Sequence, residues 1–514
     1  MSTSPAGSTE VLIVGAGPTG LVLALWLTRL GVRVRIVDQT AQAGTTSRAL
    51  ALQARTLEFY RQFGLADEIV ERGRPLIGIN LWARGQRAGR VVFGDLATEI
   101  SPYPYALVFP QDEHEKLLIE RLRQAQVEVE RQTELLGFQD DGSGIRARLK
   151  RADATEEECA AAFIAGCDGA HSRVRESLHI GFPGGTYEHL FYVADVEAAG
   201  PTIDGEAHVG LDETDFLAVF PMKATGRVRL VGTMRKVEQQ GADLTWNDIG
   251  TRVIDWMHLE ARRVNWFSTY HVHHRVASRF RAGRAFLLGD AGHIHSPVGG
   301  QGMNTGIGDA INLAWKLAMV VRGRADASLL DSYEPERIGF ARRLVATTDL
   351  GFTGVTGSGA IVRTVRLRIV PLLLPLAFGF SGVRRLMFRT ISQTALNYGR
   401  SPLSQGRAGS IRGGARLPWV KFGDGGDDNF RALETLDWQV HVYGEDAPAL
   451  EAACATRKLP VHVFRWRPEM DRSGLRRDAV YLVRPDGYVA MAAAAPGADA
   501  IMAYLDSRGL LPAK

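Results

Sequence analysis

Three glycine-rich stretches hold the residues best suited to chemistry. The first, Gly15-Ala-Gly17-Pro18-Thr19-Gly20, has the form G-x-G-x-x-G. Gly15 permits a tight turn, Gly17 lets the backbone approach a pyrophosphate, and Gly20 lets a helix pack closely on a strand. A diphosphate would then face unsatisfied N–H groups at the positive end of that helix. Asp38 follows eighteen residues after Gly20, placed to accept hydrogen bonds from a ribose, with Gln39 beside it. This spacing predicts a bound dinucleotide. The second stretch is Gly166-Cys-Asp168-Gly169-Ala-His-Ser172-x-Val-Arg175, whose Asp-Gly alone is no more than a turn. The third runs Gly289-Asp290-Ala-Gly-His293 and continues as Pro297-Val-Gly-Gly300-Gln-Gly302-Met303-Asn304-Thr-Gly306. An apolar strand ending in Gly-Asp, then a glycine-rich turn into a helix, brings a carboxylate and backbone donors to one place. The carboxylate suits a sugar-like hydroxyl; the donors suit an electron-rich carbonyl or a developing anion.

These groups need elements to hold them. The run Val11 to Val14 has the composition of a buried parallel strand, and the apolar stretch Leu21 to Leu30 predicts a helix stopped by Gly31. Val32 to Val37 alternates Arg with Val or Ile and predicts a strand ending at Asp38, which completes a βαβ unit. Phe216 to Phe220 and Arg227 to Gly232 read as strands of a different region, and Met303 to Arg322 and Leu330 to Thr348 as helices. Gly406 to Arg416, rich in Gly and Arg, reads as a linker. Beyond it, Gln439 to Tyr443 and Ala479 to Arg484 read as strands of a small α/β unit, the second ending in the turn Pro485-Asp486-Gly487.

A chain of 514 residues exceeds one compact core, so several domains are expected. The net charge of +4 and the lack of a long basic run give nucleic-acid binding no support. Three cysteines, none in a C-x-x-C pair, argue against a disulfide framework or zinc knuckle. The N-terminus lacks a signal-peptide pattern, so a reducing cytoplasmic setting is expected. Ile369 to Phe380 is apolar but too short to span a bilayer and carries two prolines. It reads as a buried helix pair or a hydrophobic lip beside a pocket, with no stable membrane insertion. His271, His273, His274, His293 and His295 cluster in sequence, yet no ligand-spaced carboxylate or cysteine accompanies them, and strand alternation separates His273 from His274. No metal is expected. Tyr103, Tyr105, Phe216, Phe220 and Trp256 could line a pocket, although buried aromatics are more often core.

In this order and at these separations, the three motifs resemble those of the para-hydroxybenzoate hydroxylase-like flavoprotein aromatic hydroxylases, the single-component FAD monooxygenases, over residues 8 to about 405. The resemblance implies an α/β fold: a Rossmann-like FAD-binding domain of the GR2 type and a mixed-sheet substrate domain. Residues 1–75, 106–181 and 276–350 would form the first, and 76–105 and 182–275 the second, with a helical segment over 351–405. Residues 410–514 resemble the thioredoxin-like α/β domain of one subset, ending in a motif like Leu482-Val-Arg-Pro-Asp-Gly487. It lacks C-x-x-C, which points to a structural or oligomer-contact role, not a redox relay. By match, Gly15, Gly17, Pro18, Thr19, Gly20, Asp38 and Gln39 would hold the ADP half of FAD. Asp168 and Gly169 would serve both FAD and NAD(P)H, and Asp290 the ribityl chain. Ser47-Arg48-Ala49 is similar to a segment whose arginine contacts FAD, and Phe109-Pro-Gln111 to one whose Gln touches the ribityl chain. Pro297, Gly300, Gly302, Met303 and Asn304 match the loop and helix start under the flavin ring. Arg48 and Pro297 are the candidates nearest the chemistry. Gly308 departs from the larger polar residue often found there, which should alter packing more than chemistry.

The implied activity is NAD(P)H- and O₂-dependent hydroxylation of an aromatic substrate, phenolic or polycyclic and polyketide-like, through a flavin C4a-hydroperoxide. Only one dinucleotide fingerprint is present, as expected if NADH or NADPH visits transiently, and the choice between them is unreadable. The chain would act as a monomer or homodimer. Baeyer–Villiger insertion and dehydrogenation remain open within the same fold, and no Trp-x-Trp-x-Ile halogenase signature occurs. The non-enzyme alternative is a flavin-binding sensor or interaction protein. No residue stands out as the base that would activate a phenol.

Overall fold

The computed structural model of the 514-residue chain describes residues 8–44, 49–83, 85–92, 97–211, 216–234, 244–249, 252–296, 299–356, 373, 377–423, 427–495 and 497–511. Its first large sheet is built on the βαβ unit β1 (Ser8–Val14), α1 (Pro18–Arg29) and β2 (Val34–Val37). Val11, Leu12 and Ile13 have no exposed surface, which is why the strand reads as an unbroken apolar run and not an alternating one. Pro18 occupies the first turn of α1, where its missing N–H costs nothing. β1 runs parallel to β2 on one side and to β3 (Glu156–Gly166) on the other; β4 (Ala285–Leu287) continues parallel beyond β3. Helices α2 (Ala54–Arg61), α3 (Gln111–Gln124), α4 (Gly302–Val321) and α5 (Tyr333–Thr356) pack around this sheet. α4 is apolar on nearly every face and buried over most of its length, as a helix between other layers must be.

A second large sheet takes the strand order His293–Ile294, Glu260–Val276, Gly184–Ala199, Arg227–Met234, Phe216–Pro221, Ala207–Leu211, Gly78–Ala83 and Gln86–Val92. Its pairs are antiparallel except Ala207–Leu211 with Gly78–Ala83, so the sheet is mixed. It has its own apolar core, with Tyr192, Leu217, Val219, Leu230 and Met257 among the buried members.

The third large sheet is C-terminal. β5 (Gln439–Gly444), α6 (Pro448–Ala455), β6 (Val461–Arg465), α7 (Pro468–Arg472), β7 (Ala479–Val483), β8 (Val489–Ala493) and α8 (Ala498–Asp506) follow in chain order. In space the strands lie β8-β7-β5-β6, with β5 parallel to β6 and antiparallel to β7. The stretch expected to be a linker is instead part of this sheet. Gln405–Ala408 pairs parallel with β8 and antiparallel with Ile411–Arg412. Its glycines serve close backbone approach: Gly406 has φ +74°, and a Cβ there would lie 2.3 Å from the Ala492 carbonyl oxygen. The apolar run at 369–380 lies mostly outside the described residues; Phe380 at its end is exposed.

The C-terminal unit is locked to the first by charges with no solvent exposure. Glu336 of α5 accepts from Lys316 Nζ at 2.8 Å and from Arg484 at 2.8 and 3.0 Å, while Ser401 and Asn312 donate to it as well. Arg484 also binds Asp486, which accepts from Trp315 Nε1 at 3.2 Å. A second group joins Arg55 of α2 to Glu58 and to the Asp486 carbonyl, and Arg416 to Glu58. Arg484 and Lys316 hold the Glu336 carboxyl well below the usual carboxylate range, and Arg416 and Arg55 do the same for Glu58, each against the opposing effect of burial. These carboxylates therefore stabilise the fold at pH above their ordinary range, and that contribution is lost as pH falls below it through the depressed folded-state values. Lys316 behaves differently, because burial lowers its pKa from 10.5 to about 8. The unfolded chain then binds this proton more readily than the folded one. Stability from this group should rise with pH between about 8 and 10.5. The Lys316→Met variant should show a flatter pH dependence of unfolding free energy over that interval; an unchanged slope would contradict the assignment.

Candidate functional site

The parallel strands of the first sheet end together, and their carboxyl ends carry the sequence-predicted residues. In open α/β sheets, ligands bind in the crevice beyond those ends. Gly15 follows β1, Asp38 follows β2, Asp168 follows β3 and Asp290 follows β4. Backbone bonds tie these ends together: Gly15 N–H donates to Val37 O at 2.8 Å, Cys167 N–H to Val14 O at 2.7 Å, and Leu288 N–H to Gly166 O at 2.9 Å.

The first glycines divide their work as their spacing requires. Gly15 has φ +101°, and a Cβ there would lie 2.3 Å from the Cys167 carbonyl oxygen. Gly20 sits against the Gly15 carbonyl, where a Cβ would come within 2.0 Å. A Cβ at Gly17 would meet nothing within 4 Å, so the start of α1 faces open space. Gly15→Ala should cost at least about 1–3 kcal/mol from backbone strain alone. A thermal melting temperature equal to that of the parent would refute this reading.

Asp38 Oδ2 accepts from the Ala16 N–H at 2.7 Å and Oδ1 from the Thr40 N–H at 2.8 Å, which fixes the carboxylate beside the glycine turn. Exposed Gln39 follows it. Asp168 Oδ2 accepts from Val174 N–H at 3.1 Å, while its buried Oδ1 has no partner among the described residues. Burial pushes the Asp168 carboxyl up, against the lowering effect of Ser172 and the Val174 amide. A Cβ on Gly169 would meet nothing within 4 Å. Exposed Asp290 sits in a single 3₁₀ turn, Gly289–Ala291. Gln111 is the first residue of α3; its side chain donates to Glu115 at 2.8 Å, and Glu115 accepts from the Gly44 N–H at 3.2 Å.

α4 begins at Gly302 beside these strand ends, so its first amides point into the same region. Thr19 of α1 is wedged where Cβ atoms on Gly289 and Gly306 would approach its Oγ1 to 2.7 and 2.3 Å. Asn304 is fully committed to protein contacts. It accepts from Gln53 N–H and Thr56 Oγ1 at 2.8 and 2.7 Å and donates to Ala51 and Gly300 carbonyls at 2.8 and 2.9 Å. Its side chain therefore splints the α4 start to α2. Arg48 and Pro297 lie outside the described residues.

The splint has a deeper half that motif reading missed. Asp309, on α4, accepts from Gly289 N–H at 3.0 Å, His293 Nε2 at 2.7 Å and Arg337 Nε at 2.5 Å. Arg337 and His293 hold the Asp309 carboxyl below its usual range despite burial. Arg337 goes on to Thr305 O and Tyr398 Oη at 3.0 and 2.9 Å. Asp309 thus fixes the turn that presents Asp290 to the helix that presents Gly302. Gly308 makes room for this: a Cβ there would stand 3.1 Å from Arg337 Nη2. The available signal was a set of polar residues, Asp309, Asn312 and Lys316, on one face of an otherwise apolar helix. Of the aromatic candidates, Tyr103 is core, Phe216 and Phe220 are partly buried on the second sheet, and Tyr105 packs on Tyr103 at 6.5 Å.

A strand-end crevice with a bare glycine turn, two helix N-termini and an unpartnered buried carboxylate oxygen fits a dinucleotide. The comparisons agree. A family model described as an FAD binding domain matches residues 8–348. The 6-methylpretetramide 4-monooxygenase of Streptomyces rimosus is 33% identical over 99% of this chain and 95% of its own length. The pentachlorophenol 4-monooxygenase of Sphingobium chlorophenolicum is 32% identical over 70% of this chain and 68% of its own. Among solved structures, aklavinone-11 hydroxylase, in a ternary complex with FAD and aklavinone, superposes with TM-score 0.78 at 27% identity, covering 99% of this chain and 100% of its own.

Proposed function

This chain belongs to the FAD-binding family of flavin-dependent aromatic and polyketide monooxygenases, and we propose that it hydroxylates a phenolic, multi-ring aromatic compound at the expense of NAD(P)H and O₂. The observation that carries the proposal is the convergence of Gly17, Asp38, Asp168, Asp290 and the α4 start at one set of strand ends. Relatives and neighbours of nearly full-length coverage act on polycyclic substrates, 6-methylpretetramide and aklavinone by their names. That supports the multi-ring reading over a single-ring one.

In this account the bound flavin supplies hydride acceptance and oxygen activation, chemistry that side chains lack. The chain does the rest. Gly15, Gly17, Gly20 and the α1 amides hold the diphosphate; Asp38 and Gln39 take the adenosine side; Asp168, Gly169, Gln111 and Asp290 take the central chain. The amides of Gly302 and Met303, with the α4 dipole behind them, stabilise negative charge at the ring end. By motif match, Arg48, Pro297 and Gly300 would serve that end as well. Residues 1–75, 106–181 and 276–350 act as the flavin-binding domain, and the second large sheet bears the substrate and keeps water from the reacting atoms. The C-terminal β5-α6-β6-α7-β7-β8-α8 order supports a thioredoxin-like domain; Cys454 is buried there and has no cysteine partner, so its role is structural. Among the described residues, no helix is long and apolar enough to cross a membrane. We place the enzyme in the cytoplasm as a monomer or homodimer.

The test is oxidation of NADH and NADPH by the flavin-loaded protein in air, with 4-nitrophenol, 2-naphthol and 2-hydroxyanthraquinone as the panel. Stimulation by a phenol, with a product one oxygen heavier, is expected. Bound flavin with no stimulation by any of them would leave the dehydrogenase or sensor reading instead.

A further inference from the structure

His295 stands where the substrate-bearing sheet hands the chain to the flavin helix. The strand His293–Ile294 pairs with Arg275 and Val276 at the edge of the second sheet, and α4 starts at Gly302. His295 follows that strand directly. A Cβ on Gly302 would lie 3.7 Å from its Nε2, so the imidazole borders the first residue of α4.

Its hydrogen bonding fixes its chemistry. Nδ1 lies 2.8 Å from the Ser296 carbonyl oxygen, an acceptor only, so Nδ1 carries the proton and donates. Nε2 is then an unprotonated acceptor. It is buried and has no partner among the described residues, a condition that a purely structural histidine does not favour. Burial lowers the pKa to about 4, which keeps the ring neutral at ordinary pH and its lone pair available. The neighbouring His293 donates Nε2–H to Asp309 and stacks its ring on Phe280; its Nδ1 is also buried without a partner among the described residues, but it is His295 that borders the first residue of α4.

We propose that Nε2 of His295 accepts the proton of the substrate's phenolic hydroxyl, making His295 a catalytic residue of the hydroxylation; this rests on the hydroxylase reading above. The O–H bond breaks, an Nε2–H bond forms, and the electron pair left on oxygen enters the ring that is to be oxygenated. The imidazolium so formed pairs with the phenolate, which offsets the burial that disfavours either charge alone. The proton returns to water when product leaves. Among the described residues, the charged and titratable groups acting on His295 are Asp349 of α5, which favours the cation and is hydrogen-bonded to the Tyr187 hydroxyl of the second sheet, and His293, which opposes it. A phenol donating to Nε2 would lie beside the α4 start.

The test is the His295→Gln variant, assayed across pH with whichever panel phenol most stimulates the parent. The parent should be nearly independent of pH below the phenol's own pKa. The variant should retain flavin and melting temperature, lose about 10²–10⁴-fold in kcat at neutral pH, and gain roughly tenfold per pH unit up to the phenol's pKa, because only pre-ionised substrate then reacts. A variant that loses activity by the same factor at every pH, or loses none, overturns the proposal while leaving the hydroxylase reading intact. If no panel phenol stimulates the parent, both fall together.

Discussion

Replacing Arg484 by alanine should destabilise the whole chain by about 3–5 kcal/mol, the cost of stranding a partner in a buried ion network. Glu336 has no solvent exposure and takes two of its hydrogen bonds from Arg484; Asp486 takes two more. Without the guanidinium, one cation, Lys316, faces two carboxylates, and of these it is hydrogen-bonded only to Glu336. The loss should not stay in the C-terminal unit. Glu336 is on α5, and Trp315 and Lys316 are on α4, the helix that begins at the candidate flavin ring site. Bound flavin and the C-terminal sheet should therefore melt in one transition in the parent, and both at lower temperature in the variant. A variant that loses the C-terminal sheet alone, with flavin release unmoved, would contradict this coupling. Arg484→Met with Glu336→Gln, which removes charge from both sides, should recover part of the loss.

The second large effect is expected at Asp290. A hydrogen bond from a ligand hydroxyl to a carboxylate contributes about 1.5–3 kcal/mol, so Asp290→Ala should weaken flavin binding roughly ten- to hundredfold. Asp290 is exposed on a turn whose position is set from behind, by Gly289 N–H on Asp309. Removing the Asp290 carboxylate should therefore lower flavin affinity by more than it lowers the stability of the flavin-free protein. Equal flavin retention by the variant and the parent would remove Asp290 from the site. Asp309→Ala makes the contrast, because its loss strands Arg337 and should lower both quantities.

What could be read in advance follows from the range of the interactions involved. The βαβ unit was legible because its signals are local: an apolar run, a glycine turn, a helix stopped by Gly31, and an acid at the end of the next strand. The helix expected over Met303 to Arg322 is Gly302–Val321, since sixteen buried residues in a row leave little other choice. Gly406 to Arg416 failed as a linker because glycine marks both flexibility and close approach, and the sequence does not say which. Here the approach is to β8, more than eighty residues later. The Asp309 hub stayed hidden for the same reason: its partners Gly289, His293 and Arg337 sit on three segments, and only folding brings them together. Asn304 shows a motif residue whose side chain is taken up by protein contacts to Ala51, Gln53, Thr56 and Gly300, none of which its motif announces. His295 was one histidine among five until its tautomer, burial and position beside Gly302 were visible.

If this chain is a hydroxylase, it puts one atom of O₂ onto an aromatic ring. The most direct measurement is turnover of the best panel phenol under ¹⁸O₂ in ordinary water, with the mass and structure of the product determined. One labelled oxygen is expected as a new ring hydroxyl, with one NADH or NADPH consumed for each. A product without label, or labelled oxygen inserted between a carbonyl carbon and its neighbour, would contradict it.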